Sequence, residues 1–175
     1  MTRRVLALFL RYFYLHRRSL PRVMEILFWP VMGLLVWGCM AASLERGQAP
    51  GAAAHLIGAV ILWEVLYRAQ QSISYSITEE FWVRNIINLF ISPLTMPELV
   101  LASCLMGLAK TCASTLAMAA LAWSLYGFDI LAAGPSLVLF YGCLLLFGWA
   151  VGLLTMGLIF RHGRAAEALI WGVPF

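Results

Sequence analysis

SLVLFYGCLLLFGWAVGLLTMGLIF, residues 136–160, contains no Asp, Glu, Lys or Arg and is followed at once by Arg161-His162-Gly163-Arg164. A helix needs ~20 mostly apolar residues to cross a bilayer, and a basic turn behind such a run marks the side that stays in the cytoplasm. The stretch therefore reads as a membrane span. Composition agrees: 63% of the chain is hydrophobic and 11% is charged, against about half and a quarter in a soluble domain. So large an apolar excess cannot be hidden in one soluble core of this length. The net charge is +4, from 12 Lys+Arg against 8 Asp+Glu, and every cation except Lys110 is an arginine. The arginines gather beside apolar runs. They read as topology determinants facing anionic lipid heads, not as a nucleic-acid surface.

Similar runs lie upstream. Spans are expected at about 23–44, 52–77 and 98–125 besides 136–160, and a further apolar run starts at 165 and reaches residue 175. That last run is too short to cross a bilayer and reads as the start of a fifth span in a truncated chain. Pro30 lies within the first span and should kink it. Glu45 to Gly51 make a short turn containing Gly47, Gln48 and Pro50, and Gly127, Asp129, Gly134 and Pro135 punctuate another. Residues 1–22 form a basic amphipathic stretch in which Arg4, Arg11 and Arg18 recur every seven residues, with Val5, Phe9, Tyr12 and Phe13 on another side. The pattern fits a helix lying in the membrane interface with its aromatic side among the lipids, ended by Pro21. It is too long for the basic region of a cleaved signal peptide. The fold expected is an all-α, polytopic helical bundle.

Arginine placement sets the orientation. The tail holds Arg3, Arg4, Arg11, Arg17, Arg18 and Arg22, the connection 78–97 holds Arg84, and the turn after the fourth span holds Arg161 and Arg164. The remaining loops hold only Arg46. The N-terminus, the connection and the 161–164 turn are therefore expected in the cytoplasm.

Little in the chain points to catalysis. His16, His55 and His162 are scattered, the carboxylates offer no close pair for acid–base work, and Cys39, Cys104, Cys112 and Cys143 lie singly in apolar runs, where they read as small buried residues. Gly107-Leu-Ala-Lys110-Thr111 lacks the glycine and the strand context of a phosphate-binding loop. No metal, cofactor or catalytic residue is assigned to this chain. Three ionisable groups fall inside spans: Glu64, Arg68 and Lys110. Glu64 and Arg68 are spaced to pair on one helix face, either as a structural ion pair or as the lining of a pathway. Lys110 needs a partner from another helix, with Glu64 a candidate by depth. Gly148-x-x-x-Gly152, with Gly157 beyond it, allows close helix approach within the chain or between subunits. Trp63, Tyr67, Tyr75 and Trp123 suit either an interfacial belt or contact with an amphipathic cargo.

The stretch ITEEFWVRNIINLFISPLTMPEL, residues 77–99, is too polar to span and too apolar for an idle loop. Trp82, Ile86, Leu89 and Phe90 share one helical face, so a short surface helix is expected, ended by Ser92-Pro93. Thr95-Met-Pro-Glu98 reads as a capping box that starts the next span.

In layout, nearly the whole chain resembles the permease subunits of ABC exporters of the type-2 export family. The resemblance is carried by Glu79-Glu80, the helix through Phe90 and Ser92-Pro93-Leu94 between the second and third spans. The basic N-terminal helix, Pro30, and Arg161-His-Gly-Arg-Ala-Ala-Glu167 leading to Pro174 are similar too. Where the family often has Gly-Thr after the acidic pair, this chain has Arg84-Asn85. The resemblance implies that the 78–97 connection carries the coupling helix, whose Glu79, Glu80, Phe81, Arg84, Asn85, Asn88, Phe90 and Pro93 contact a cytosolic ATP-binding cassette subunit. It also implies ATP and magnesium in that partner, a second permease copy or homologue, a further re-entrant region and sixth span, and an inner-membrane location. The alternative reading is an ion- or proton-coupled carrier with Glu64, Arg68 and Lys110 as its relay.

Overall fold

The computed structural model describes residues 2–46 and 51–172; the turn residues 47–50 and Pro174 lie outside them. No strand occurs among the described residues, which run as α1 (Thr2–Arg17), α2 (Leu20–Arg46), α3 (Ala52–Trp82), α4 (Ile86–Ile91), α5 (Met96–Tyr126), α6 (Pro135–His162) and α7 (Leu169–Gly172). Single 3-10 turns, Ile130–Ala133 and Gly163–Ala166, flank α6. Three helices are long and apolar enough to cross a membrane: α2 over Leu20–Leu44, α5 over its whole length and α6 over its whole length.

Helix α3, expected as the second span, is 31 residues long, which at 1.5 Å per residue exceeds a bilayer core, and its second half is more polar than those three helices. It packs against α2, α5 and α6 together, and its polar run Gln70, Gln71, Ser72, Ser74, Ser76, Thr78 and Glu80 is buried within them. The hydroxyls close on their own helix: Ser72 donates to the Ala69 carbonyl (2.9 Å), Ser76 to Ile73 (2.7 Å) and Thr78 to Ser74 (3.0 Å). Such back-bonds free a buried hydroxyl from needing a partner across helices.

Glycines let the outer helices approach α3. A Cβ placed on Gly148 would stand 2.6 Å from the Ala69 Cβ and 2.8 Å from the Leu66 carbonyl, and one on Gly152 would stand 2.8 Å from the Gln70 carbonyl. The glycine pair therefore serves packing within the chain. Around Gly157 a Cβ would meet nothing within 4 Å.

Several boundaries differ from the sequence reading. The break after α1 falls at residues 18–19, and Pro21 sits in the first turn of α2, where its missing N–H costs nothing. The buried side of α1 faces protein: Val5, Leu8 and Tyr12 share a core with Leu99, Ala102 and Met106 of α5, while Leu6, Leu10 and Phe13 remain exposed. Helix α3 extends to Trp82, so Glu79 and Glu80 lie on its last turn and not in the connection. Cys39, Cys112 and Cys143 are exposed on helix surfaces, not buried. The capping box is present, with the Thr95 N–H donating to Glu98 Oε2 at 3.0 Å.

Gly148→Val or Gly152→Val is expected to push α6 off α3 and destabilise the chain by about 1–3 kcal/mol, read as a lower unfolding midpoint in detergent. Gly157→Ala is the control and should cause no loss.

Candidate functional site

Two regions carry the chemistry: a clamp of arginines around the short helix α4, and a polar cavity where α2, α3 and α5 meet.

The clamp begins with α1. Arg11 donates to both oxygens of Glu80 (2.6 and 3.2 Å), and Glu80 is only 1% exposed. Asn85 Nδ2 donates to the same carboxylate at 2.7 Å, and the Asn85 N–H donates to the Glu80 carbonyl at 2.9 Å. Arg22 pairs with Glu79 at 3.6 Å. Arg4 donates to the Pro93 carbonyl at 2.5 Å and lies 3.9 Å from Glu98. Arginines that read as lipid-facing topology signals thus bind the two ends of the 83–95 connection to the bundle. Glu80, expected on the docking surface, is turned inward and fully engaged. Between Trp82 and α4 the chain reverses through Arg84, whose φ of 54° lies in the left-handed region that glycine favours.

Helix α4 has only six residues. Ile87 and Ile91, one turn apart, are 70% and 78% exposed, and Trp82 and Val83 are exposed beside them. Arg84, Asn88 and Pro93 are exposed, and Asn88 bonds to Asn85 at 2.9 Å. Among the described side chains, Ile87 and Ile91 are the apolar pair of α4 that faces outward, and Trp82, the one described member of the face 82, 86, 89 and 90 expected from the sequence, is exposed as well. The side chains of Phe81, Ile86, Leu89 and Phe90 lie outside the described ones.

The cavity, about 160 Å³, is lined by His16, Arg22, Glu25, Arg68, Gln71 and Lys110, among others. Arg68 Nε donates to Glu64 at 2.5 Å on its own helix, and Arg68 Nη2 donates to the Glu25 carbonyl at 2.8 Å. The spacing of Glu64 and Arg68 did foretell that pair. Lys110 does not join it: among the described residues it has no carboxylate within 4 Å, and it faces the cavity instead. His16 Nδ1 donates to the Tyr12 carbonyl at 2.8 Å. Burial first, then nearby Lys110, lowers the His16 imidazole from 6.5 to about 4, so it is neutral at pH 7. Glu25 was missed by the sequence reading because it stands near the start of an apolar run and looks like an interfacial residue. Gln70 and Gln71 were missed too, although adjacent amides inside an apolar run signal a helix enclosed by protein.

A second, larger cavity of about 390 Å³ shares Glu25, Arg68 and Gln71 with the first, and is further lined by Trp29, Trp37, Trp63, Tyr67 and Trp171. Of the aromatics noted in the sequence, Trp63 and Tyr67 line this groove, Tyr75 lines the polar cavity, and Trp123 is exposed elsewhere. Among the described residues no group of three His, Cys, Asp or Glu is placed to hold a metal ion.

Two outcomes follow. Glu80→Gln is expected to cost about 2 kcal/mol, less than a fully buried pair because Arg11 is part-exposed, and the loss should be smaller in an Arg11→Leu background. His16 is protonated more readily unfolded than folded between pH 6.5 and about 4. Stability therefore falls as pH drops through that window, and His16→Gln should flatten that part of the profile. Both are read by thermal unfolding in detergent.

No family model, curated protein or solved structure matches this chain.

Proposed function

We propose that the chain is the membrane-spanning permease part of an ATP-driven ABC exporter, with ATP hydrolysis carried out by a separate cytosolic subunit. The observation that carries this reading is α4: a six-residue helix that presents Ile87 and Ile91 outward while it is held between two long helices by Arg4, Arg11 and Asn85. An apolar pair on a surface helix has no use for water and suits a partner's groove. Rigid ties to α1, α3 and α5 suit a lever, because a push on a loosely hung loop would be absorbed locally. The left-handed turn at Arg84, where the type-2 export permeases often carry glycine, supports the same likeness.

In this reading α2, α5 and α6 cross the inner membrane and α3 crosses enclosed by them, with the N-terminus and α4 in the cytoplasm. Each permease pairs with a second copy or homologue and two ATPase subunits. Closure of the ATPases on ATP and magnesium would press α4 and tilt α3 and α5 together. The cavity and the tryptophan groove lie along α3, where such a tilt would change their shape. The chain itself is assigned no catalytic role.

A photo-crosslinking residue at position 87, introduced in the native membrane, tests the proposal. The expected adduct is a chain carrying G-x-x-x-x-G-K-[ST], while the same residue at position 139, exposed on α6, gives none. Adducts at 87 with lipid alone would contradict it, as would labelling of an Arg84→Cys variant only from outside the cell.

A further inference from the structure

We infer that the two joined cavities bind one membrane lipid whose head carries both a phosphate and a primary ammonium, with its acyl chain in the tryptophan groove. The inference is independent of what the chain transports.

Most of the charge around the inner cavity is already matched. Arg22 is paired with Glu79 at 3.6 Å, and Arg68 is held by Glu64 and the Glu25 carbonyl. Three groups are left over. Among the described residues, the Lys110 ammonium and the Glu25 carboxylate have no ion-pair partner within 4 Å. The Gln71 Nε2 amide, on a residue only 4% exposed, has no hydrogen-bond partner. All three line the same cavity. A free ammonium and a free amide donor call for an anion; a free carboxylate calls for a cation. A ligand of one sign would leave the other group part-buried with no close partner, which is unfavourable. A head with both signs satisfies the set.

The groove identifies the rest of the ligand. It adjoins the polar cavity through Glu25, Arg68 and Gln71, and its walls are Trp29, Trp37 and Trp63, all partly exposed. Glu25 lies about 8 Å along α2 from its first residue, nearer the head-group layer than the bilayer midplane. A polar end at that depth, adjoining an apolar groove between α2 and α3, fits a lipid better than a soluble metabolite.

Native mass spectrometry of the full chain in detergent, titrated with phosphatidylethanolamine, phosphatidylglycerol and phosphatidylcholine, tests the inference. Phosphatidylethanolamine should bind at least fivefold more tightly than the other two, since one lacks the ammonium and the other cannot donate N–H to Glu25. Lys110→Met should weaken phosphatidylethanolamine and phosphatidylglycerol alike. Glu25→Gln should abolish the preference between them while leaving phosphatidylglycerol binding intact. That ratio is read within one sample, so partial unfolding does not alter it. Equal binding of the three lipids by the wild type, or an unchanged preference in Glu25→Gln, would overturn the inference. So would glycerophosphoethanolamine displacing the lipid at equal concentration, because the tail would then contribute nothing.

Discussion

A helix that carries two glutamines, three glutamates and a ladder of hydroxyls cannot face hydrocarbon, because each polar group left unpaired there costs several kcal/mol. Helix α3 is such a helix, and the rest of the chain is arranged to enclose it. The hydroxyls bond back to their own carbonyls. Gly148 and Gly152 bring α6 close enough to exclude other matter from its side. Gln70 reaches Ser74 at 3.4 Å and Thr155 at 3.5 Å. The apolar surfaces of α2, α5 and α6 then face outward, which explains why so many large hydrophobic side chains are exposed on these helices and so few on α3.

The enclosure is also what allows a site. Charges at Glu64, Arg68 and Lys110 are tolerable because protein, not lipid, surrounds them. Their matching is uneven: Arg68 is bonded on two sides, whereas Lys110 and Glu25 face open space. Toward the α4 end the same helix finishes in Glu79 and Glu80, gripped by Arg22 and Arg11. One helix thus runs from the polar cavity to the turn that precedes α4.

What could be read in the sequence was local. The apolar runs that became α2, α5 and α6, the capping box at Thr95 and Glu98, the Glu64–Arg68 pair and a short helix before Ser92-Pro93 all rest on spacings within one element. What could not be read was long-range pairing. Arg11 and Glu80 are 69 positions apart, and Arg4 and Pro93 are 89 apart. Basic residues near apolar runs look alike whether they face lipid heads or a carboxylate across the fold. For the same reason the protein-facing side of α1 reads in the sequence as a lipid-facing one. The polarity of residues 70–80 was visible in the sequence, but hydropathy reports only how apolar a run is, not that its neighbours enclose it.

Carbene labelling from a diazirine on a lipid acyl chain, mapped by mass spectrometry in the native membrane, tests the enclosure of α3 most directly. Leu139 and Leu146 of α6 are exposed, whereas Ile73 of α3 is fully buried. The α6 residues should be labelled heavily and residues 70–78 of α3 hardly at all. Labelling of residues 70–78 as heavy as that of α6 would mean that α3 is not enclosed and that the site built on it does not exist.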